Sequence, residues 1–162
     1  YHRKQLAFDN YNDIRKNLPE FIDYKFNHKP NRLVNFLGNT NWTIFNRIWL
    51  DYYKNNPNVI MTSYEKLLKN TENELYNILD SLLYDNIDMK KLSKIVNHYS
   101  FSNQSKREQG VEDKSKFLRK GISGDWKNYF TRLSAETFNY YSENMLIELD
   151  YEKNDSWVFN IK

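Results

Sequence analysis

A chain of 162 residues fits one domain, or a piece of one, and is long enough to bury a core of its own. Cysteine is absent and the three histidines stand far apart in sequence, which excludes disulfides and thiolate metal sites and suggests no metal cluster. The net charge of +3 is mild and its signs are mixed, so nucleic-acid binding finds little support; no apolar run nears the roughly 20 residues that span a bilayer, and YHRKQLAFDNYND lacks a signal peptide's apolar core.

In chain order, Pro19, Pro30 and Pro57 predict turns between short elements in the first third. Asn39–Asn55 reads as a helix, because Trp42, Phe45, Ile48, Trp49 and Tyr52 recur at helical spacing on one face, and that face is expected to be core. Asn55-Asn56-Pro57-Asn58 stops it. The mostly apolar run Val59–Thr62 then has the pattern of a short buried strand, the one strand the chain offers with any clarity. Thr71 with Glu74 makes a capping box for a helix carrying Leu75, Ile78, Leu79, Leu82 and Leu83 along one stripe. A further helix opens at Asp88 and buries Leu92, Ile95 and Val96. The stretch SNQSKREQGVEDKSK, between Phe101 and Phe117, is polar throughout and has no apolar period, so it reads as a mobile surface loop. The last helix runs from about Ser134 to Leu149, with Phe138, Tyr141, Met145 and Leu149 facing inward. Helices around a single apolar strand make an incomplete α/β pattern, and a lone strand implies partners elsewhere.

Chemistry concentrates in FLRKGISGDWKNYFT, residues 117–131, where two of the four glycines, three cations, a Trp and an Asp crowd together. Arg119 offers a planar fork of donors suited to phosphate, Lys120 adds a mobile point charge, and Gly121 lets the backbone approach a ligand with no Cβ in the way. Amides around such a glycine can form a nest for an anion. Read without a ligand, the same letters make a solvated basic turn followed by a helix start, with Asp125 as N-cap and Trp126 and Phe130 packed as core aromatics four apart.

The stretch resembles the R-K-G-x-x-G-D-W-K-N-x-F-T signature of the cytosolic-type sulfotransferases, which use 3′-phosphoadenosine 5′-phosphosulfate (PAPS) as sulfonate donor. Other letters agree with the family's C-terminal half: the W-x-x-x-x-x-x-W pair at Trp42 and Trp49, Y-E-x-L-L at Tyr64–Leu68, and S-F at Ser100 and Phe101. The resemblance implies an α/β, P-loop-kinase-like sulfotransferase fold, a parallel sheet flanked by helices, of which residues 1–162 would be the helix-rich C-terminal part. The family's 5′-phosphosulfate loop with its Lys, its catalytic His, and the Arg and Ser that help hold the 3′-phosphate would lie in an N-terminal half not present, with Tyr1-His2 falling just after that Ser. Carried over by position, Arg119, Lys120 and Gly121 would bind the 3′-phosphate, Tyr64 would contact adenine, and Tyr99, Ser100 and Phe101 would stand where the family has an adenine-contacting T-S-F. Tyr99 departs from that Thr. Tyr64 as a staple between strand and helix, and Phe101 as plain core, remain the alternatives. Lys127, Thr131 and Glu136 match three positions of the family's dimerisation motif, but Arg132 replaces its Val, which weakens a homodimer contact.

The implied function is transfer of sulfonate from PAPS to a hydroxyl or amine of a small-molecule or saccharide acceptor, releasing 3′-phosphoadenosine 5′-phosphate (PAP), at a cytoplasmic address, without nucleic acid, membrane or metal. No catalytic residue is assigned, so activity is expected of a full-length parent and not of the chain alone. A non-catalytic nucleotide-phosphate-binding module and a helical interaction domain are the competing readings.

Overall fold

The computed structural model describes residues 13–27, 41–83 and 86–161. Tyr1, His2, His28, Pro30 and the expected helix start at Asn39 lie outside them. The chain divides into two compact units, one from Tyr1–Lys54 with Trp126–Lys162, the other Asn55–Asp125.

In the first unit, α1 (Ile14–Asn27) packs against α7 (Arg132–Ser142). Phe26 stacks on Tyr141 with ring centroids 5.1 Å apart and meets Phe138 edge-on at 5.9 Å. Asp23 accepts a short hydrogen bond from the Tyr141 hydroxyl, which in turn accepts from Asn27 at 2.6 Å. Pro19 lies inside α1 and does not make the expected turn. A proline within a helix costs about 3 kcal/mol; contacts made beyond it, by Ile22 and Phe26, hold the helix through that position. Thr131 caps α7, its hydroxyl accepting from the Ser134 amide at 3.2 Å. The expected single helix to Leu149 is interrupted: Glu143 takes a left-handed φ of 51°, and the short α8 (Met145–Glu148) restarts after Asn144. Ala135, Trp157 and Val158 form the core here, with Phe130, Phe138, Leu146 and Ile161 packed around them.

The helix α2 (Trp42–Asn55) forms where expected but presents the opposite face. Thr43 and Leu50 are buried, the Thr43 hydroxyl donates to the Tyr141 carbonyl at 2.9 Å, and Arg47 between them pairs with Glu148 at 3.2 Å and Glu143 at 3.3 Å. The aromatic stripe Trp42, Phe45, Ile48, Trp49 and Tyr52 is 36–59% exposed, so among the described residues it is not core. Of that stripe Trp42 meets the Phe138 ring at 5.3 Å, while the 43–47–50 stripe makes the hydrogen bond and the ion pairs.

In the second unit, Val59–Thr62 is irregular, and no strand occurs among the described residues. Strands need ladder partners, and none is present here for the run to pair with. Thr62 instead donates its hydroxyl to Glu74 at 2.6 Å. Ser63 caps α3 (Tyr64–Lys69), which packs on α4 (Thr71–Leu83). Asn70, not Thr71, supplies the α4 cap, accepting from the Asn73 amide at 3.1 Å; Thr71 donates back to the Leu67 carbonyl and Glu74 is taken by Thr62. Asp88 caps α5 (Met89–His98) as expected, accepting from Lys91 at 3.1 Å. Leu92 is buried, while Ile95 is exposed. Tyr99 and Ser100 lead into the short α6 (Phe101–Ser105). No described helix is long and apolar enough to cross a membrane.

Candidate functional site

Arg119, Lys120 and Gly121 lie in an irregular segment of the second unit that a turn brings back on itself. Gly121 and Gly124 both take left-handed backbone, with φ of 68° and 74°, which β-carbon sterics deny to most residues. The turn returns Asp125 to the cations. Its Oδ2 stands 2.6 Å from Arg119 Nη2 and its Oδ1 2.5 Å from Lys120 Nζ, so one nearly buried carboxylate joins both heads. On the other side, Glu112 Oε1 lies 3.3 Å from Arg119 Nη1. That oxygen is buried and lacks hydrogen-bond geometry, so the contact is an ion pair by distance alone. Asp125 thus opens a short 3₁₀ turn, Asp125–Asn128, while its carboxylate serves the cations.

Gly121 also sits directly on the Phe101 ring: a β-carbon built there would stand 2.4 Å from Phe101 Cδ2. Arg107 meets the same ring, its guanidinium carbon 5.5 Å from the centroid. Arg107 donates to three backbone carbonyls, Val111 at 2.6 Å, Arg119 at 2.9 Å, and Leu118 more closely still. Two backbone bonds run alongside, Gly110 N to Lys120 O at 2.8 Å and Asp113 N to Arg119 O at 2.9 Å. The expected mobile loop therefore begins as helix α6 and is then tied to the basic segment by Arg107 and by these two backbone bonds. Asp113 is held below the ordinary carboxylate value of 3.8 chiefly by the Ser115 hydroxyl, at 2.6 Å, and then by the Ser115 amide.

Of the residues singled out from the sequence, Phe101, Arg119, Lys120 and Gly121 come into one contact set. Tyr99 and Ser100 join it only as the residues leading into Phe101. Ser100 is engaged in capping α6, accepting from Asn103 and donating to the Asn97 carbonyl at 2.8 Å; the exposed Tyr99 ring meets His98 edge-on. Tyr64 starts α3 with its ring half exposed and is not part of the contact set. Arg107, Glu112 and Asp125 were missed. Their signal was available only as charge complementarity within one polar stretch.

In the first unit, Lys127 lies over the Trp126 ring at 5.5 Å, Thr131 caps α7, and Glu136 pairs with Arg132 at 2.9 Å on its own helix. Trp126 meets Phe130 and Trp157 edge-on but is 37% exposed, so it borders the core where Phe130 is packed against it.

A model of the sulfotransferase domain matches residues 1–150. Among curated proteins, the chain is 28% identical to sulfotransferase 2A1 of Homo sapiens over 125 residues, 68% of this chain and 44% of the relative. It is 34% identical to sulfotransferase 1B1 of Mus musculus over 108 residues, 60% of this chain and 36% of the relative. It is also 28% identical to 3-beta-hydroxysteroid sulfotransferase of Cavia porcellus over 139 residues, 75% and 48% of the two chains. In these matches the chain spans less than half of each relative's length. No solved structure matches it. With 150 of its 162 residues under one family model, and the R-K-G and G-D-W-K letters in place at its candidate site, this chain belongs to the sulfotransferase family.

Proposed function

We propose that this chain is the C-terminal part of a sulfotransferase that moves sulfonate from PAPS to a hydroxyl or amine, and that Arg119, Lys120 and Gly121 bind the donor's 3′-phosphate. The observation that carries the reading is the convergence of the Arg119 and Lys120 heads beside a glycine backbone. A phosphate dianion wants two cations at one point, a guanidinium fork among them, and backbone able to approach. Phe101 belongs to the same reading as an adenine contact through the part of its ring that Gly121 and Arg107 leave open. Tyr64, Tyr99 and Ser100 belong to the same reading as adenine contacts, with Tyr99 and Tyr64 exposed enough to close on a base.

When bound, PAPS supplies the sulfonate: a new bond forms from the acceptor oxygen or nitrogen to sulfur as the bond from sulfur to the 5′-phosphate oxygen breaks, and the acceptor's proton passes to a base. This chain's residues bind and orient that donor. In this reading the base and the cation that activates the sulfonate belong to an upstream half, along with the strands of a parallel sheet, and the 162-residue chain alone is expected to be silent. One relative is named for a 3-beta-hydroxysteroid, which favours a hydroxyl as the acceptor group. A cytoplasmic setting suits this chemistry, and a homodimer through Lys127, Thr131 and Glu136 has no support beyond three letters.

The test is product stoichiometry in the natural full-length protein with PAPS and a panel of alcohols, phenols and amines. One PAP should form per sulfonated acceptor, and Arg119→Ala should raise the KM for PAPS at least tenfold. An unchanged KM would remove Arg119 from the donor site.

A further inference from the structure

Neighbouring residues have no geometric reason to present their charged heads at one place; in extended backbone they point to opposite faces. Arg119 and Lys120 nevertheless meet, because the Asp125 carboxylate takes Arg119 on one oxygen at 2.6 Å and Lys120 on the other at 2.5 Å. The side chain of Asp125 is only 10% exposed, and it reaches the pair through a turn built on two left-handed glycines. Glu112 stands 3.3 Å from the other Nη of Arg119, so the guanidinium plane lies between two carboxylates. We infer that Asp125 is a positioning residue of the phosphate site, whose bridging carboxylate draws Arg119 and Lys120 to one point and thereby sets their preference for a ligand carrying a 3′-phosphate. This rests on the reading that the triplet binds that phosphate.

The sign of one substitution separates positioning from plain electrostatics. Asp125→Asn removes a negative charge beside the site, and Coulomb's law alone then predicts tighter binding of any anion. Positioning predicts the reverse. An amide keeps one acceptor but turns a donor toward a cation, so the two heads part and the phosphate finds them separately.

The experiment is calorimetry on the full-length protein with PAP and with adenosine 5′-monophosphate (AMP), which lacks the 3′-phosphate. Wild type and Arg119→Ala come first: if Arg119→Ala keeps the wild-type preference for PAP, the phosphate reading itself fails. If that preference is lost, Asp125→Asn should weaken PAP at least tenfold with AMP within about twofold, and Asp125→Glu should restore part of the preference. Unchanged or tighter PAP binding by Asp125→Asn overturns the inference while leaving the phosphate site standing. So does an Asp125→Asn protein that loses its cooperative melt, since the carboxylate is then a folding residue.

Discussion

Arg119 stands between Glu112 and Asp125, with a different Nη facing each, and the planarity of the guanidinium is what permits this. An ammonium has no such fork. Arg119→Lys should therefore raise the Kd for PAP about tenfold or more with the thermal transition intact, whereas wild-type affinity would leave Arg119 a partner of the two carboxylates alone. Gly121 is constrained twice, by its left-handed φ of 68° and by the Phe101 ring that a β-carbon would meet at 2.4 Å. Gly121→Ala should lower the stability of its unit by about 1–3 kcal/mol, the usual cost of a strained non-glycine position, read as a drop in Tm. At this scale the sequence was legible for the cations and the glycine, because a basic pair before a glycine is a local pattern. It was not legible for Asp125, which local rules assign to a helix cap, or for Arg107, whose carbonyl partners Leu118 and Arg119 lie a loop away.

Caps show the same division between elements. Asp88 was readable because its partner is three residues on, while the α4 start was misplaced by one residue, Thr71 being drawn back to Leu67 and Glu74 away to Thr62. Asn70→Ala should cost about 1 kcal/mol, the ordinary worth of an N-cap, as measured by denaturant unfolding. Between α1 and α7 the Tyr141 hydroxyl donates to Asp23, and this bond first of all raises the Tyr141 pKa above 10.0. A raised folded value means the bond's stabilisation is whole below pH 10.0 and fades as pH climbs through the higher folded value. Tyr141→Phe should flatten that alkaline loss in a pH series of melts; an unaltered profile would show that the pair contributes nothing. The α2 helix itself was legible, but its facing was not, because a five-residue stripe of four aromatics and Ile48 outweighs Thr43, Arg47 and Leu50 in any pattern count.

For the molecule as a whole, exposed apolar side chains mark what the described residues leave uncovered: the α2 aromatics in one unit, Leu82 and Leu83 of α4 in the other. Large exposed apolar patches mark surfaces that meet a partner. The expected strand Val59–Thr62 fits the same pattern, since a strand is an agreement between segments and one segment cannot make it alone. The helices were therefore readable from their own periodicity, whereas the strand read at Val59–Thr62 does not occur among the described residues. The 162-residue chain by itself should melt with poor cooperativity despite helical circular dichroism, and restoring the upstream half should sharpen the transition. A sharp monomeric melt of the isolated chain would favour a self-contained binding module. The most direct test of the donor site is calorimetric titration of the full-length protein with PAP and with AMP, in wild type and Arg119→Ala. A wild-type preference for PAP of at least tenfold, about 1.4 kcal/mol, that Arg119→Ala abolishes is the predicted result. Equal wild-type affinities for the two nucleotides would contradict it.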